Sequence, residues 1–186
     1  GDLVWTSSIS FVASANCGRY CGAHIDFVDI NSKTFNIDTR TLEKKLQKTP
    51  KKKLPKILVV VHFAGEPADM EKIYQLKKKY KFKVIEDASH ALGAKIKKNF
   101  IGSCKYSDVT VFSFHPVKSI TTAEGGMATT NDKNLYKKMQ LFRNHGITRE
   151  LKFLKKKINS YWYYEQQQLG FNYRMNDIEA ALGISQ

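Results

Sequence analysis

The chain has 186 residues, 42% of them hydrophobic, which is enough for one domain with a sizeable core, at most two. No apolar run approaches the roughly 20 residues that span a bilayer, and Gly1-Asp2-Leu3-Val4-Trp5 lacks the basic start and apolar centre of a secretory signal, so the cytoplasm is the expected compartment. The basic residues behind the formal charge of +14 are nearly all lysine and include the short runs Lys51–Lys53, Lys77–Lys79 and Lys155–Lys157, without interleaved aromatics; a solvated face is expected, and neither a nucleic acid nor a membrane is an expected partner.

Short apolar strands alternate with amphipathic helices, the pattern of an α/β domain with a mainly parallel sheet. A strand is expected over Leu3–Thr6, a helix over Ser10–Cys21, a strand over Ile25–Asp29 and a helix over Thr39–Gln47. Next come a strand over Ile57–Phe63 and a helix over Asp69–Tyr80. The run Ile57-Leu58-Val59-Val60-Val61 is continuous and β-branched, as a strand covered on both faces would be. In the helix after it, Asp69 supplies a cap, and Met70, Ile73 and Tyr74 share a face.

Strands over Lys83–Glu86, Val109–Phe114 and Gly126–Thr130 follow, then a helix over Asn131–Asn144 that starts on Asn131 and Asp132 and carries a stripe of Leu135, Met139 and Phe142. Thr148–Gln168 has no steady period and is expected to be an excursion. A last helix runs from Asn176 to Gln186. The chain opens on a strand without methionine and closes inside a helix, which reads as a fragment. Cys17, Cys21 and Cys104 are odd in number and sparse, as reduced thiols are; Cys17, Cys21 and His24 lack a fourth ligand at finger-like spacing, so no metal site is expected.

In an open α/β sheet, ligands bind beyond the carboxyl ends of the strands. Three such ends are polar: Glu86-Asp87-Ala88-Ser89-His90, Ser113-Phe114-His115-Pro116-Val117-Lys118 and Ala64-Gly65-Glu66-Pro67. In a chain so rich in lysine, an arbitrary lysine is a solvated side chain. Lys118 differs in following a buried strand, a serine and a proline-stiffened turn, and in preceding Thr121-Thr122-Ala123-Glu124-Gly125-Gly126, whose small residues permit close approach to a ligand. In a partly dry pocket a lysine can form a Schiff base. Asp87 reads as a turn or cap residue, or else as a carboxylate facing a pyridine nitrogen, a pairing that keeps such a ring protonated and electron-accepting.

Glu86-Asp87-Ala88-Ser89-His90-Ala91-Leu92-Gly93-Ala94, then Ser113 to Lys118, then Glu124-Gly125-Gly126, then Gly170-Phe171-Asn172-Tyr173-Arg174-Met175 with Ala180-Ala181-Leu182-Gly183 resemble, in that order, the successive signatures of the DegT/DnrJ/EryC/StrS sugar aminotransferases. Thr6 to Ala13 is similar to the family's early strand and helix start, so the resemblance covers essentially the whole chain. It implies the large domain of a type I transferase dependent on pyridoxal 5'-phosphate (PLP), three-layered around a mainly parallel sheet. Residues 1–186 would be its central part, with the family's upstream phosphate loop and C-terminal small domain outside the chain.

For the site, the resemblance implies that Lys118 forms the Schiff base with PLP and moves the proton, that Asp87 pairs with the pyridine nitrogen, that Ser113 binds the phosphate and that Phe11 stacks on the ring. His90 stands where many relatives carry glutamine, near the ring's phenolic oxygen. Asn172 would reach the phosphate bound by a neighbouring subunit, which implies a homodimer with shared sites. The reaction implied is amino transfer from L-glutamate to C4 of a 4-keto nucleotide sugar. His62-Phe63-Ala64-Gly65-Glu66-Pro67, Glu86 to His90 and Trp162-Tyr163-Tyr164-Glu165 are similar to a branch of the family acting on a UDP-linked 4-keto-6-deoxy-N-acetylhexosamine in pseudaminic acid biosynthesis.

Rival readings stand beside this one. A dehydratase that uses the same cofactor would carry another residue in place of Lys118. A regulatory relative would bind PLP without turnover, and a lysine-rich nucleic-acid-binding module would account for the charge but leave the four ordered motifs as coincidence.

Overall fold

A computed structural model of the chain describes residues 1–158 and 160–186; residue 159, inside the expected excursion, lies outside the described residues. Its centre is a six-stranded sheet in the order β2-β1-β3-β4-β7-β8. The strands are β1 (Leu3–Ser7), β2 (His24–Val28), β3 (Ile57–Val61), β4 (Lys83–Asp87), β7 (Val109–Ser113) and β8 (Gly126–Thr129). Neighbours are parallel except for β8, which runs antiparallel to β7. Each parallel step needs a crossover. Helices α1 (Ala13–Tyr20), α2 (Thr39–Lys48) and α3 (Met70–Tyr80) supply the first three, and a loop with the small hairpin β5 (Lys95–Ile96) and β6 (Asn99–Phe100) supplies the fourth.

Strand side chains alternate between faces, and the core divides accordingly. Trp5, Leu58, Val60 and Val84 join Leu42 and Leu46 of α2 and Met70, Ile73 and Leu76 of α3 in the main core. Val4 and Val59, with Ile25, Ile57 and Ile85 against them, form a second cluster on the opposite face, where α1 packs. Helix–sheet–helix is therefore the layering, in agreement with the expected α/β class. The approach of α1 depends on Gly18: a Cβ there would sit 2.6 Å from Ile25 Cδ1 and 3.3 Å from Val4.

Local signals account for most boundaries. Asp69 accepts from the Lys72 amide at 3.1 Å and starts α3, and Asp132 accepts from Asn134 and Leu135 at the start of α4 (Lys133–Arg143). Asn176 and Glu179 form a reciprocal capping box at α5 (Asp177–Ile184). Two expectations shift. The first helix begins at Ala13 and not Ser10, because the Ser10 hydroxyl bonds Ser14 Oγ at 2.8 Å in place of a backbone cap. The third strand stops at Val61, since the chain turns through Phe63–Gly65 with left-handed Ala64 (φ 51°) and Gly65 (φ 87°).

The stripe expected on α4 is only half-covered, with Leu135 and Met139 partly buried and Phe142 exposed. Within the expected excursion, β9 (Ile147–Thr148) pairs antiparallel with β10 (Glu165–Gln166). Glu165 ties the flap together: the amides of Lys155 (2.7 Å) and Lys156 (2.9 Å) and the Tyr163 hydroxyl (2.7 Å) donate to it. Those two amides lead in drawing its carboxyl down to about 2. Among the described residues, no helix is long and apolar enough to cross a membrane.

Candidate active site

Because β1, β3, β4 and β7 are parallel, their carboxyl ends meet at one edge of the sheet. Asp87 is the last residue of β4 and is half-buried beside α1. Ser14 Oγ, on α1, donates to Asp87 Oδ2 at 2.5 Å, and the Ser89 amide and hydroxyl donate to Oδ1 at 3.2 and 2.6 Å. A carboxylate offers about four lone-pair sites, so these three donors leave one acceptor position, on the Oδ2 side. Ser10 supports Ser14 in turn, giving a relay of hydroxyls that ends on the carboxylate.

The turn after Asp87 is fastened to both neighbouring strands. The His62 amide donates to the Asp87 carbonyl at 3.1 Å, and the Ala88 amide donates to the Val111 carbonyl at 2.8 Å. Exposed His90 follows within that turn. Lys118 comes from the connection between β7 and β8. The base of this loop is closed by Phe114 N donating to Gly125 O (2.9 Å) and Thr122 N donating to Phe114 O (2.9 Å), and its tip by Lys118 N donating to His115 O (2.9 Å). Lys118 Nζ lies 2.9 Å from His90 Nε2. The structure thus brings an acid, an imidazole and a half-buried lysine together from the ends of two adjacent strands.

Ser113 ends β7, and its Oγ accepts from the His115 amide at 3.3 Å, leaving its own proton free to donate. Phe11 precedes α1 and is 76% exposed, in the segment that also delivers Ser14 to Asp87. Asn172 bridges Asn144 after α4, and no hydrogen bond joins it to Asp87, His90, Ser113 or Lys118 among the described residues. Sequence reasoning missed Ser14. A serine spaced four residues after Ser10, on the first turn of a helix that abuts a strand end, is the signal that would have found it.

The chemistry of these groups is compatible with PLP: Asp87 has an acceptor position left, Lys118 carries an amine, Ser113 a hydroxyl and Phe11 an exposed aromatic ring.

A family model described as the DegT/DnrJ/EryC1/StrS aminotransferase family matches residues 1–186. A UDP-4-amino-4,6-dideoxy-N-acetyl-beta-L-altrosamine transaminase from Campylobacter jejuni (serotype O:23/36) is 41% identical over 184 residues, 99% of this chain and 45% of that protein. Among solved structures, Helicobacter pylori PseC, an aminotransferase involved in the biosynthesis of pseudoaminic acid, superposes with a TM-score of 0.85 at 38% identity, covering 100% of this chain and 45% of that one. The PLP form of Spr1654 from Streptococcus pneumoniae gives 0.82 at 31% identity, covering 100% and 48%. The chain therefore spans less than half the length of the relatives it matches. From the match over its whole length, together with the motifs and the sheet that displays them, the chain belongs to the DegT/DnrJ/EryC1/StrS aminotransferase family.

Proposed function

We propose that the full protein is a PLP-dependent aminotransferase that moves an amino group from L-glutamate to C4 of a UDP-linked 4-keto-6-deoxy-N-acetylhexosamine, in the cytoplasm and in pseudaminic acid biosynthesis. The observation that carries the reading is the meeting of two strand ends: Asp87 on β4, with one acceptor position left, and Lys118 from the connection after β7, whose amine lies 2.9 Å from His90 of the Asp87 turn. The C. jejuni relative and PseC support the choice of sugar, as do the segments His62–Pro67 and Trp162–Glu165.

When bound, PLP supplies an aldehyde that takes up the amino group and a ring that accepts electrons from the substrate carbon. Asp87 would hold the proton on the ring nitrogen, and Ser14 and Ser89 hold Asp87. Ser113 would donate to the phosphate and Phe11 would cover one ring face. Lys118 would be the amine that holds the cofactor's aldehyde, and as a free amine it would take a proton from the glutamate α-carbon in one half-reaction and deliver a proton to the sugar C4 in the other. His90 orients that amine. Asn172, which bonds to none of these residues among the described ones, is assigned to the phosphate bound by a second copy, so a homodimer with shared sites is part of the proposal.

Such a cycle releases 2-oxoglutarate before the sugar enters. Initial rates of the full-length protein over a grid of glutamate and the UDP-4-keto sugar are expected to give parallel double-reciprocal lines. Intersecting lines, or no reaction with any 4-keto nucleotide sugar, would end this reading.

A further inference from the structure

Consecutive acids on β4 point to opposite faces of the sheet. Asp87 meets α1, whereas Glu86 turns into the interior and is 3% exposed. There it accepts from His62 Nε2 at 2.8 Å, from Thr110 Oγ1 at 3.0 Å and from the Ser107 hydroxyl. Burial pushes the Glu86 carboxyl up, but the hydrogen bonds from His62, Ser107 and Thr110 bring it below the usual carboxylate range. The His62 side chain is fully buried, and its Nδ1 accepts from the Ala68 amide at 3.1 Å. A ring nitrogen that accepts an amide proton holds a lone pair, so the imidazole proton lies on Nε2, facing Glu86.

This pair acts on the turn between β3 and α3. Ala68 anchors the far end of that turn to His62, while buried Asn36 clamps its middle, accepting from Phe63 N at 2.9 Å and donating to Glu66 O at 2.9 Å. At the crest, Gly65 lies against the active-site turn: a Cβ there would stand 2.7 Å from the His90 carbonyl oxygen. The contacts form a series from Glu86 through His62, the turn and His90 to Lys118. A buried polar pair is weak evidence for stability, since apolar residues of equal volume often serve as well, so its geometry is the more informative property.

We propose that His62 and Glu86 are positioning residues for the active site: they lock the turn 62–68 so that Gly65 supports His90, and through His90 they set where the Lys118 amine is held. The catalytic consequence rests on the role given to Lys118 above.

The test uses the full-length protein carrying His62→Phe, which keeps the ring and removes both hydrogen bonds. Hydrogen exchange read by mass spectrometry on the cofactor-free protein should show faster exchange in residues 63–68 and also in 88–92, with Leu58–Val60 unchanged. Unchanged exchange at 88–92 overturns the proposal. Ser107→Ala removes a Glu86 partner that does not touch the turn; it should lower the melting temperature without altering exchange at 88–92, and an equal change there would mean general loosening and overturn the proposal too. In the holoenzyme, His62→Phe should lower kcat on the order of 10²-fold, the scale of a ~1 Å misplacement, with KM for the sugar within about twofold. It should also displace the pH at which the visible band of the lysine-bound cofactor titrates; wild-type kcat and wild-type titration contradict the proposal. Should His62→Phe not fold, Glu86→Gln, which keeps the volume and one acceptor, carries the same exchange measurement with the same deciding outcome. A wild-type protein without cofactor or transamination would defeat the proposed function alone, because exchange on the cofactor-free protein still decides this inference.

Discussion

His90 Nε2 and Lys118 Nζ lie 2.9 Å apart, although they belong to connections that leave different strands, β4 and β7. At that distance one nitrogen must present a lone pair to the other's proton, so the contact orients the amine with a single shared hydrogen. His90→Gln keeps a polar partner in reach and should lower the rate of the glutamate half-reaction by no more than about tenfold. His90→Leu leaves the amine free to swing and should lower it on the order of 10²-fold. Stopped-flow single-turnover rates make the comparison, and equal rates in the two variants would show that His90 does not hold the lysine.

Asp87→Asn should bind cofactor yet turn over on the order of 10³-fold more slowly, since it removes the charge that stabilises the protonated ring while leaving the phosphate contacts in place. Ser14→Ala removes one hydrogen bond to that carboxylate, a loss of about 1.5–3 kcal/mol for a charged acceptor, so a fall in kcat of about tenfold or more is expected. Cofactor affinity by titration and kcat by product assay check both. A near-normal kcat in Asp87→Asn would reduce Asp87 to a turn residue.

Much of this arrangement was legible in the sequence. The run Ile57–Val61 reads as a doubly covered strand because both of its faces are apolar, and the face of Met70 and Ile73 is fully buried as its spacing predicts. Asp87, His90 and Lys118 were singled out through ordered motifs at strand ends, and the fold brings them to one edge. What was missed depends on contacts far apart in the chain. Glu86 was legible as part of a polar strand end, but its partnership with His62, 24 residues earlier, needs the register Val60↔Glu86 that only the sheet defines. The two-residue strands β5, β6, β9 and β10 are too short to carry a period. The half-covered stripe of α4 looks like any core stripe, because periodicity shows which residues share a face and not what covers it.

Stability should depend on acid pH through two internal carboxylates. Glu86 is held low as described. Asp108 is pushed up by burial but drawn below the usual range by Lys77, by the Val84 amide and by Lys83. For both, the folded form binds its proton less readily than the unfolded chain, so their contribution is complete above the ordinary carboxylate range and is lost as pH falls through the lower folded values. Thermal melts of the full-length protein should therefore be flat through neutral pH and decline below about pH 4.5. Glu86→Gln should make that acid decline shallower; a decline as steep as wild type would show that Glu86 does not contribute to it.

The central claim is that Lys118 carries the cofactor, and borohydride reduction of the PLP-loaded full-length protein, followed by digestion and mass spectrometry, addresses it most directly. Reduction fixes the cofactor to whichever amine held it. A single modified lysine, Lys118, is expected, with no fixed cofactor after Lys118→Ala. Stable attachment to any other lysine of this lysine-rich chain, or undiminished fixation in Lys118→Ala, would contradict it.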